Sequence, residues 1–363
     1  MKLKITRNVL NKSTRTNLIT VGFLLVMYAV VQIMIANGSM SNLMKGLLVP
    51  ICYYSILAVS LNLTVGILGE LSLGHAGFMC VGAFAGAIFS KLTVRTIENS
   101  FIRFTLAILI GAVAAGIFGI LIGVVVLRLR GDYLAIVTLA FGEIIKNVIN
   151  VIYIGRDSRG LHFSMKDTVH LKLEKGGEVI VGGAKGITGT PNDTNFTIAL
   201  FLLIIIYLII ANLVNSRSGR AIMAIRDNRI AAESVGIDIT KFKILAFSLS
   251  AAMAGIAGVL YAHNISSLSA TPKNFGYNMS IMILVFVVLG GIGNLWGSIV
   301  AAIVLTMLPE YLRFLQDYRM LIYAIVLIVI MIFNWNPRCI AWRKKYSIRG
   351  LLKTLYNKSR KEA

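Results

Sequence analysis

Charged residues are scarce in this sequence. Asp, Glu, Lys and Arg make up 14% of its 363 residues, whereas 57% are hydrophobic; globular domains carry about 25% charged residues. The mean hydropathy is +0.81. So few charged side chains cannot cover so much apolar surface, which excludes an ordinary soluble domain and indicates that lipid surrounds much of the chain.

Cysteine is nearly absent too, with only Cys52, Cys80 and Cys339. The first two lie inside apolar runs, so the sequence predicts neither a disulfide framework nor a cysteine metal site. His75 and His263 stand alone, without a second ligand at metal-binding spacing. We therefore expect no bound metal.

Catalytic signatures are also lacking. No G-x-x-x-x-G-K-[ST] phosphate-binding loop occurs, and the glycine-rich stretch Gly182–Ile187 lacks the Lys-Ser/Thr ending. No cluster of acids, His or Cys has catalytic spacing, which weakens the alternative of a membrane enzyme. We expect a protein that is not an enzyme and holds no cofactor, so any ATP it depends on is hydrolysed by partner subunits.

Long apolar runs are what the sequence has instead. They predict an all-α polytopic membrane protein with about ten transmembrane helices, including short or broken ones. A run over 278–312 is too long for one span, and its glycines divide it in two. The predicted spans lie near 18–36, 44–65, 73–90, 104–127, 132–153, 196–214, 243–263, the two halves of 278–312, and 319–334.

The charge balance is one-sided, with 36 basic and 15 acidic residues and a formal net charge of +21. The basic residues gather between and beyond the apolar runs, as the positive-inside rule describes, and not on a soluble face with interleaved aromatics, so nucleic acid is not expected as a partner. The pattern places both termini and the 216–243 loop in the cytoplasm beside anionic membrane lipid.

The 155–195 loop is then external, and 338–363 is a basic cytoplasmic tail. Alternating apolar residues at 169–173 and 179–181 predict a small external hairpin.

The 216–243 loop predicts two short helices. Asp227 or Asn228 can cap the second and Gly236 can end it. Small side chains would let another protein approach closely, which favours a docking element, although a solvated basic loop that only sets the topology is the alternative. The candidate docking residues are Gly219, Arg220, Arg226, Asp227, Arg229, Ala231, Ala232, Glu233 and Gly236.

Glycine-rich breaks interrupt the apolar pattern at 62–78 and 290–297. Unwound backbone at membrane depth is tolerated only against protein or along a water-filled path, and paired breaks indicate a translocation path; close helix packing is the alternative. Glu143 and Lys146 share a helix face, where they could line the path or neutralise each other. The path candidates are Asn62, Gly69, Ser72, Gly74, His75, Phe78, Thr138, Glu143, Gly291, Gly293 and Asn294.

Four ordered blocks carry a resemblance to a known family. The most specific is LRLRGDYLAIVTLAFGEI over 127–144, and the others cover 62–83, 218–237 and 290–297. With these blocks the chain resembles the branched-chain amino acid ABC transporter permease family of the LivM type along nearly its whole length. Glu70 departs from the Gln or apolar residue expected there, and Ala184-Lys185 departs from Pro-Asn. Both departures bear on the substrate, because relatives also move urea and short amides.

The resemblance implies one transmembrane permease domain over 1–363 in a cell membrane, with the 216–243 loop as the coupling loop. It implies as partners two ATP-binding-cassette ATPases, a related second permease and an extracytoplasmic solute-binding protein. Two alternatives stay open, an ABC importer for urea, amides or another small solute, and an ion-coupled carrier that works alone.

Overall fold

The computed structural model describes residues 6–94, 96–126, 129, 131–174, 176–312 and 318–335. By packing, the chain divides into two compact units, Met1–Thr306 and Met307–Ala363. The helices are α1 (Thr6–Ala36), α2 (Asn42–Asn62, continued by a π-helix at Leu63–Leu68), α3 (His75–Thr93), α4 (Ser100–Val126), α5 (Asp132–Val151), α6 (Phe196–Asn215), α7 (Arg217–Asp227), α8 (Arg229–Ser234), α9 (Ile239–Asn264), α10 (Pro272–Phe275), α11 (Tyr277–Gly290), α12 (Leu295–Tyr311) and α13 (Arg319–Trp335).

The helices confirm the all-α polytopic prediction. Eight helical segments in the described part are long and apolar enough to cross a membrane: 17–36, 42–68, 75–93, 100–126, 132–151, 196–215, 239–264 and 272–290. The shorter apolar helices α12 and α13 occupy the positions of the last two predicted spans. The location of the termini stays a prediction, and the 338–363 tail lies outside the described residues.

The centre of the first unit is built from α3, α4 and α9, which pack backbone against backbone. A Cβ at Gly82 would lie 2.3 Å from Gly255 Cα, and a Cβ at Gly255 would lie 2.6 Å from the Gly111 carbonyl oxygen. Without a hydrophobic drive between helices in lipid, small residues permit this close approach, and dispersion contacts then hold the helices together. On the outer side of α4, large apolar side chains such as Leu109 (60% exposed) and Leu121 (58%) face outward, as suits lipid.

The 155–195 segment differs from the predicted hairpin. Strand β1 (Tyr153–Asp157) pairs with β2 (Gly160–Ser164) on one side and β3 (Glu178–Gly182) on the other, all antiparallel. Residues Val169–Leu171 form a 3₁₀ turn, so the prediction of a hairpin from 169–173 to 179–181 was wrong. Strand β3 pairs with β1, whose sequence does not alternate strongly. The tight 157–160 turn fixes the pairing of β1 with β2. A second pair joins β4 (Ile187–Thr188) to β5 (Ser267–Leu268).

The 216–243 loop contains the two predicted short helices, α7 and α8. Ser216 Oγ accepts the Gly219 N–H and begins α7, and Asn228 Oδ1 accepts the Ala231 N–H (3.1 Å) and begins α8. Gly236, at φ +81°, ends α8, with the Ile237 N–H donating back to the Ala232 carbonyl. The predicted cap and stop are confirmed, because both depend on local chemistry that a short sequence window contains.

Candidate functional site

The first glycine break is a change of helix type followed by an unwound segment. The α2 helix widens into a π-helix at Leu63–Leu68 and stops at Gly69, whose φ is +80°. The chain then runs without helix until α3 begins at His75. Single π-turns of this kind are rare and often mark functional positions.

The second break, between α11 and α12, touches the first. The Gly293 N–H donates to Asn62 Oδ1 (2.8 Å), and Asn62 Nδ2 donates to Ser298 Oγ (2.7 Å). A Cβ at Gly66 would lie only 2.3 Å from the Gly293 nitrogen. The two breaks, 231 residues apart at Asn62 and Gly293, therefore form one cluster that depends on the absence of side chains.

The remainder of the unwound segment is held by α5 and α11. The Leu73 N–H donates to Thr138 Oγ1 (3.0 Å), and a Cβ at Gly74 would lie 2.3 Å from the Thr138 carbonyl oxygen. The Ala76 N–H donates to Ser280 Oγ (3.1 Å). Protein groups thus satisfy unwound backbone at the start of α3, which meets the condition for irregular chain at membrane depth.

The predicted path residues with polar or aromatic side chains are mostly buried and engaged. His75 Nε2 shares a hydrogen bond with Ser60 Oγ (2.7 Å), and Phe78 packs edge-on against Phe247. The Ser72 hydroxyl is buried and has no hydrogen-bond partner among the described residues. Gly293 and Asn294 are exposed. The structure therefore brings Asn62, Gly66 and Gly293 together, whereas His75 and Phe78 lie in a packed interior.

Glu143 and Lys146 form the ion pair that their spacing predicted. The second carboxylate oxygen, Oε1, accepts the Tyr277 N–H at the start of α11 (2.8 Å). The carboxylate thus joins α5 to α11 and compensates a buried lysine, which gives the pair a structural role in this conformation. Whether it also lines the path stays a prediction.

Arg226 on α7 connects the loop to the first break. Its Nη1 donates to the Gly66 carbonyl oxygen (3.0 Å), and its Cγ lies where a Cβ at Gly69 would come within 2.5 Å. Its Nε and Nη2 bind Asp227 Oδ1 (3.0 and 2.8 Å). The sequence analysis placed this arginine among the candidate docking residues, but its contacts turn it inward to the unwound segment.

The rest of the candidate docking residues divide by exposure. Gly219 and Ala232 are buried, Arg229 is half-buried, and Arg220 donates to the Asn215 carbonyl (3.1 Å). Ala231, Glu233 and Gly236 are exposed. Beside them Ile230 is 81% exposed and Val235 is 74% exposed. Ile230 lies on the short polar helix α8 and Val235 directly follows it. Large exposed apolar side chains at such a place suit a surface that another protein covers.

An ion pair that sequence analysis missed lies at the same place. Lys243 on α9, 5% exposed, pairs with Glu70 directly after Gly69. A cavity of about 280 Å³ opens beside the pair, lined by Leu68, Gly69, Glu70, Gly131, Ile225, Arg226, Arg229 and Lys243. The only signal in the sequence was the unusual Glu70, because nothing local shows that residue 243 reaches it 173 positions away.

A second cavity of about 560 Å³ lies beside the three-stranded sheet. Lys91 enters it and pairs with Glu178 (3.2 Å). Asp157 also lines it; burial raises the pKa of this carboxyl, but hydrogen bonds from the Arg159 N–H, the His162 ring and the Glu174 N–H outweigh burial and hold the pKa below 3.8. Among the described residues, no group of three or more His, Cys, Asp or Glu could hold a metal.

Comparison with known proteins places these features in a family. The family model described as branched-chain amino acid transport system / permease component matches residues 43–331. The high-affinity branched-chain amino acid transport system permease proteins LivM of Salmonella typhimurium and Escherichia coli are each 34% identical over 294 residues, covering 78% of this chain and 67% of each relative.

More distant relatives include a probable branched-chain amino acid transport permease protein LivM of Methanocaldococcus jannaschii, 27% identical over 66% of this chain and 73% of the relative. The autoinducer 2 import system permease protein LsrC of Yersinia pseudotuberculosis is 29% identical over 47% of this chain and 53% of its own. No solved structure matches the chain. From the family match, the LivM relatives and the apolar helices, this multi-pass membrane protein belongs to the branched-chain amino acid transport system permease component family.

Proposed function

We propose that the chain is the membrane-spanning permease subunit of an ATP-binding-cassette importer for branched-chain amino acids. ATP is hydrolysed by two separate ATPase subunits, a related second permease completes the path, and an extracytoplasmic solute-binding protein delivers the solute. Family membership and the identity to LivM proteins support this assignment.

One observation carries the proposal further than similarity alone. The exposed α8 residues and the inward contact of Arg226 with Gly66 and Gly69 belong to one compact loop. A partner that moves α7 and α8 would therefore displace the unwound segment directly. Coupling between two sites needs such an element, whose position both sites bias.

The mechanism is alternating access. Closure of the ATPases moves α7 and α8, Arg226 transmits the movement to the break at Gly69, and the path opens toward the loaded binding protein. Hydrolysis resets the loop. The described acids beside the breaks, Glu70 and Glu143, are both engaged in ion pairs, which favours an ATP-driven subunit over a lone ion-coupled carrier.

Purification of the full chain from its native membrane tests the assembly, and uptake competition tests the solute. An ATPase and a solute-binding protein should copurify, and excess leucine, isoleucine or valine should abolish uptake of labelled leucine. Competition by urea or short amides alone would assign a different solute. The likeness to an autoinducer 2 import permease favours the broader alternative of another small solute. Solute accumulation by the purified chain alone would refute the ATP-driven role.

A further inference from the structure

The cavity beside Gly69 has the two kinds of surface that an α-amino acid has. Leu68 and Ile225, at 2% and 4% exposure, form an apolar wall. Glu70, Lys243, Arg226 and Arg229 supply the charged side. Its volume of about 280 Å³ lies at the lower end of ligand pockets, about 300 Å³, which suits a solute with few heavy atoms.

Among the described residues, two charged groups of this cavity keep a hydrogen-bonding position without a partner. Lys243 pairs with half-buried Glu70 through the Oε1 oxygen, so this carboxylate lies directly beside a cation. Glu70 Oε2 has no hydrogen bond among the described residues, and neither has the guanidinium of half-buried Arg229. One acceptor and one cationic donor group are thus available across the same cavity.

We propose that this cavity is a transient release site for the zwitterionic head group of the amino acid that the permease moves, an inference that rests on the proposed function. The α-carboxylate binds Arg229, the α-ammonium group binds Glu70, and the aliphatic side chain lies on Leu68 and Ile225. Lys243 acts as a positioning residue that orients the Glu70 carboxylate through their ion pair. A phosphate group fits less well, because Glu70 would repel it.

The location gives the site a role in transport. The cavity is lined by Gly69, where the first break unwinds, and by Arg226. Arg226 also donates a hydrogen bond to the Gly66 carbonyl oxygen. Movement of α7 by the ATPases would therefore widen or narrow this cavity. Solute would then leave the path at the predicted cytoplasmic end, and its release would be controlled by the 216–243 loop, which the ATPases also move.

Saturation-transfer NMR on the purified full chain in detergent micelles tests the site, because it detects weak ligands. The probes are L-leucine, L-leucinamide, which lacks the carboxylate, and 4-methylpentanoate, which lacks the ammonium group. Leucine should bind more tightly than either analogue. Arg229→Gln should weaken leucine binding about tenfold or more, since a hydrogen bond to a charged group is worth at least a tenfold change in the binding constant.

Arg217→Gln is the matched control, because Arg217 is an exposed arginine of the same loop outside the cavity. It should leave leucine binding within twofold. In Arg229→Gln the preference for leucine over leucinamide should also disappear. Binding of 4-methylpentanoate and leucinamide to this variant shows that it is folded, so the lost preference is not caused by unfolding.

Three results would overturn the release site: leucine binding to Arg229→Gln within twofold of the unaltered chain, equal binding of leucine and leucinamide to the unaltered chain, or displacement of leucine by inorganic phosphate at constant ionic strength. Leucine uptake by cells separates this failure from failure of the proposed function. Uptake that persists beside any of these results overturns the release site alone, whereas loss of both binding and leucine-competed uptake overturns both.

Discussion

The contact between the two breaks predicts a large effect for Gly66→Ala. The added Cβ would lie 1.9 Å from Asn62 Oδ1, 2.3 Å from the Gly293 nitrogen and 2.7 Å from Gly293 Cα. Two of these atoms are backbone, so the strain cannot be relieved by turning a flexible side chain. Overpacking costs about 1–3 kcal/mol, and displacement of Asn62 loses two hydrogen bonds of about 1 kcal/mol each.

Alanine offsets part of this cost by favouring a helix by about 0.5–1 kcal/mol, so the net loss of unfolding free energy is about 2–4 kcal/mol. Gly46→Ala is the control: Gly46 lies in the same helix α2, is exposed, and has no atom within 4 Å of an added Cβ. Both variants are unfolded with denaturant in mixed micelles and followed by circular dichroism. If the unfolding free energies of the two variants agree within about 0.5 kcal/mol, the breaks do not depend on each other as described.

Three further outcomes are expected. Arg226→Gln should lower solute-stimulated ATPase activity of the assembled transporter several-fold while the chain still inserts into the membrane, and unchanged stimulation would count against its role in coupling. Glu70→Gln leaves Lys243 as a buried unpaired cation, so the unfolding free energy should fall by about 3–5 kcal/mol, whereas Glu70→Gln combined with Lys243→Met should recover most of it; a double variant no better than the single one would contradict the pairing. Gly236→Ala meets no atom within 4 Å but forces alanine to φ +81°, so it should cost about 1–2 kcal/mol through backbone strain alone, measurable by the same unfolding experiment, and no loss would mean that α8 ends without a left-handed residue.

Much of this fold follows from local sequence. The spans depend on runs of apolar residues, and the ends of α8 depend on Asn228 and Gly236, so each could be predicted from a short window. The glycine breaks were also predictable, because glycine and polar residues inside apolar runs are conspicuous.

Contacts between distant positions could not be predicted from a single sequence. Lys243 was assigned to the topology of a basic loop, and only the fold shows that it reaches Glu70. Arg226 was placed among the charges of a docking surface, but its direction depends on how α7 packs against the π-helix at the end of α2. The partner of β3 was misplaced for a related reason, since β3 pairs with β1, whose sequence does not alternate clearly.

The glycine contacts among α3, α4 and α9 have a mechanical consequence. Because the backbones touch at Gly82, Gly111 and Gly255, no side chains lie between them that could repack. These three helices therefore form a rigid unit. We therefore expect movement during transport to occur in segments outside this rigid unit. The unwound stretch between Gly69 and His75 is such a segment, because its Leu73 N–H binds Thr138 on α5 and Arg226 of α7 lies against its first residue, Gly69.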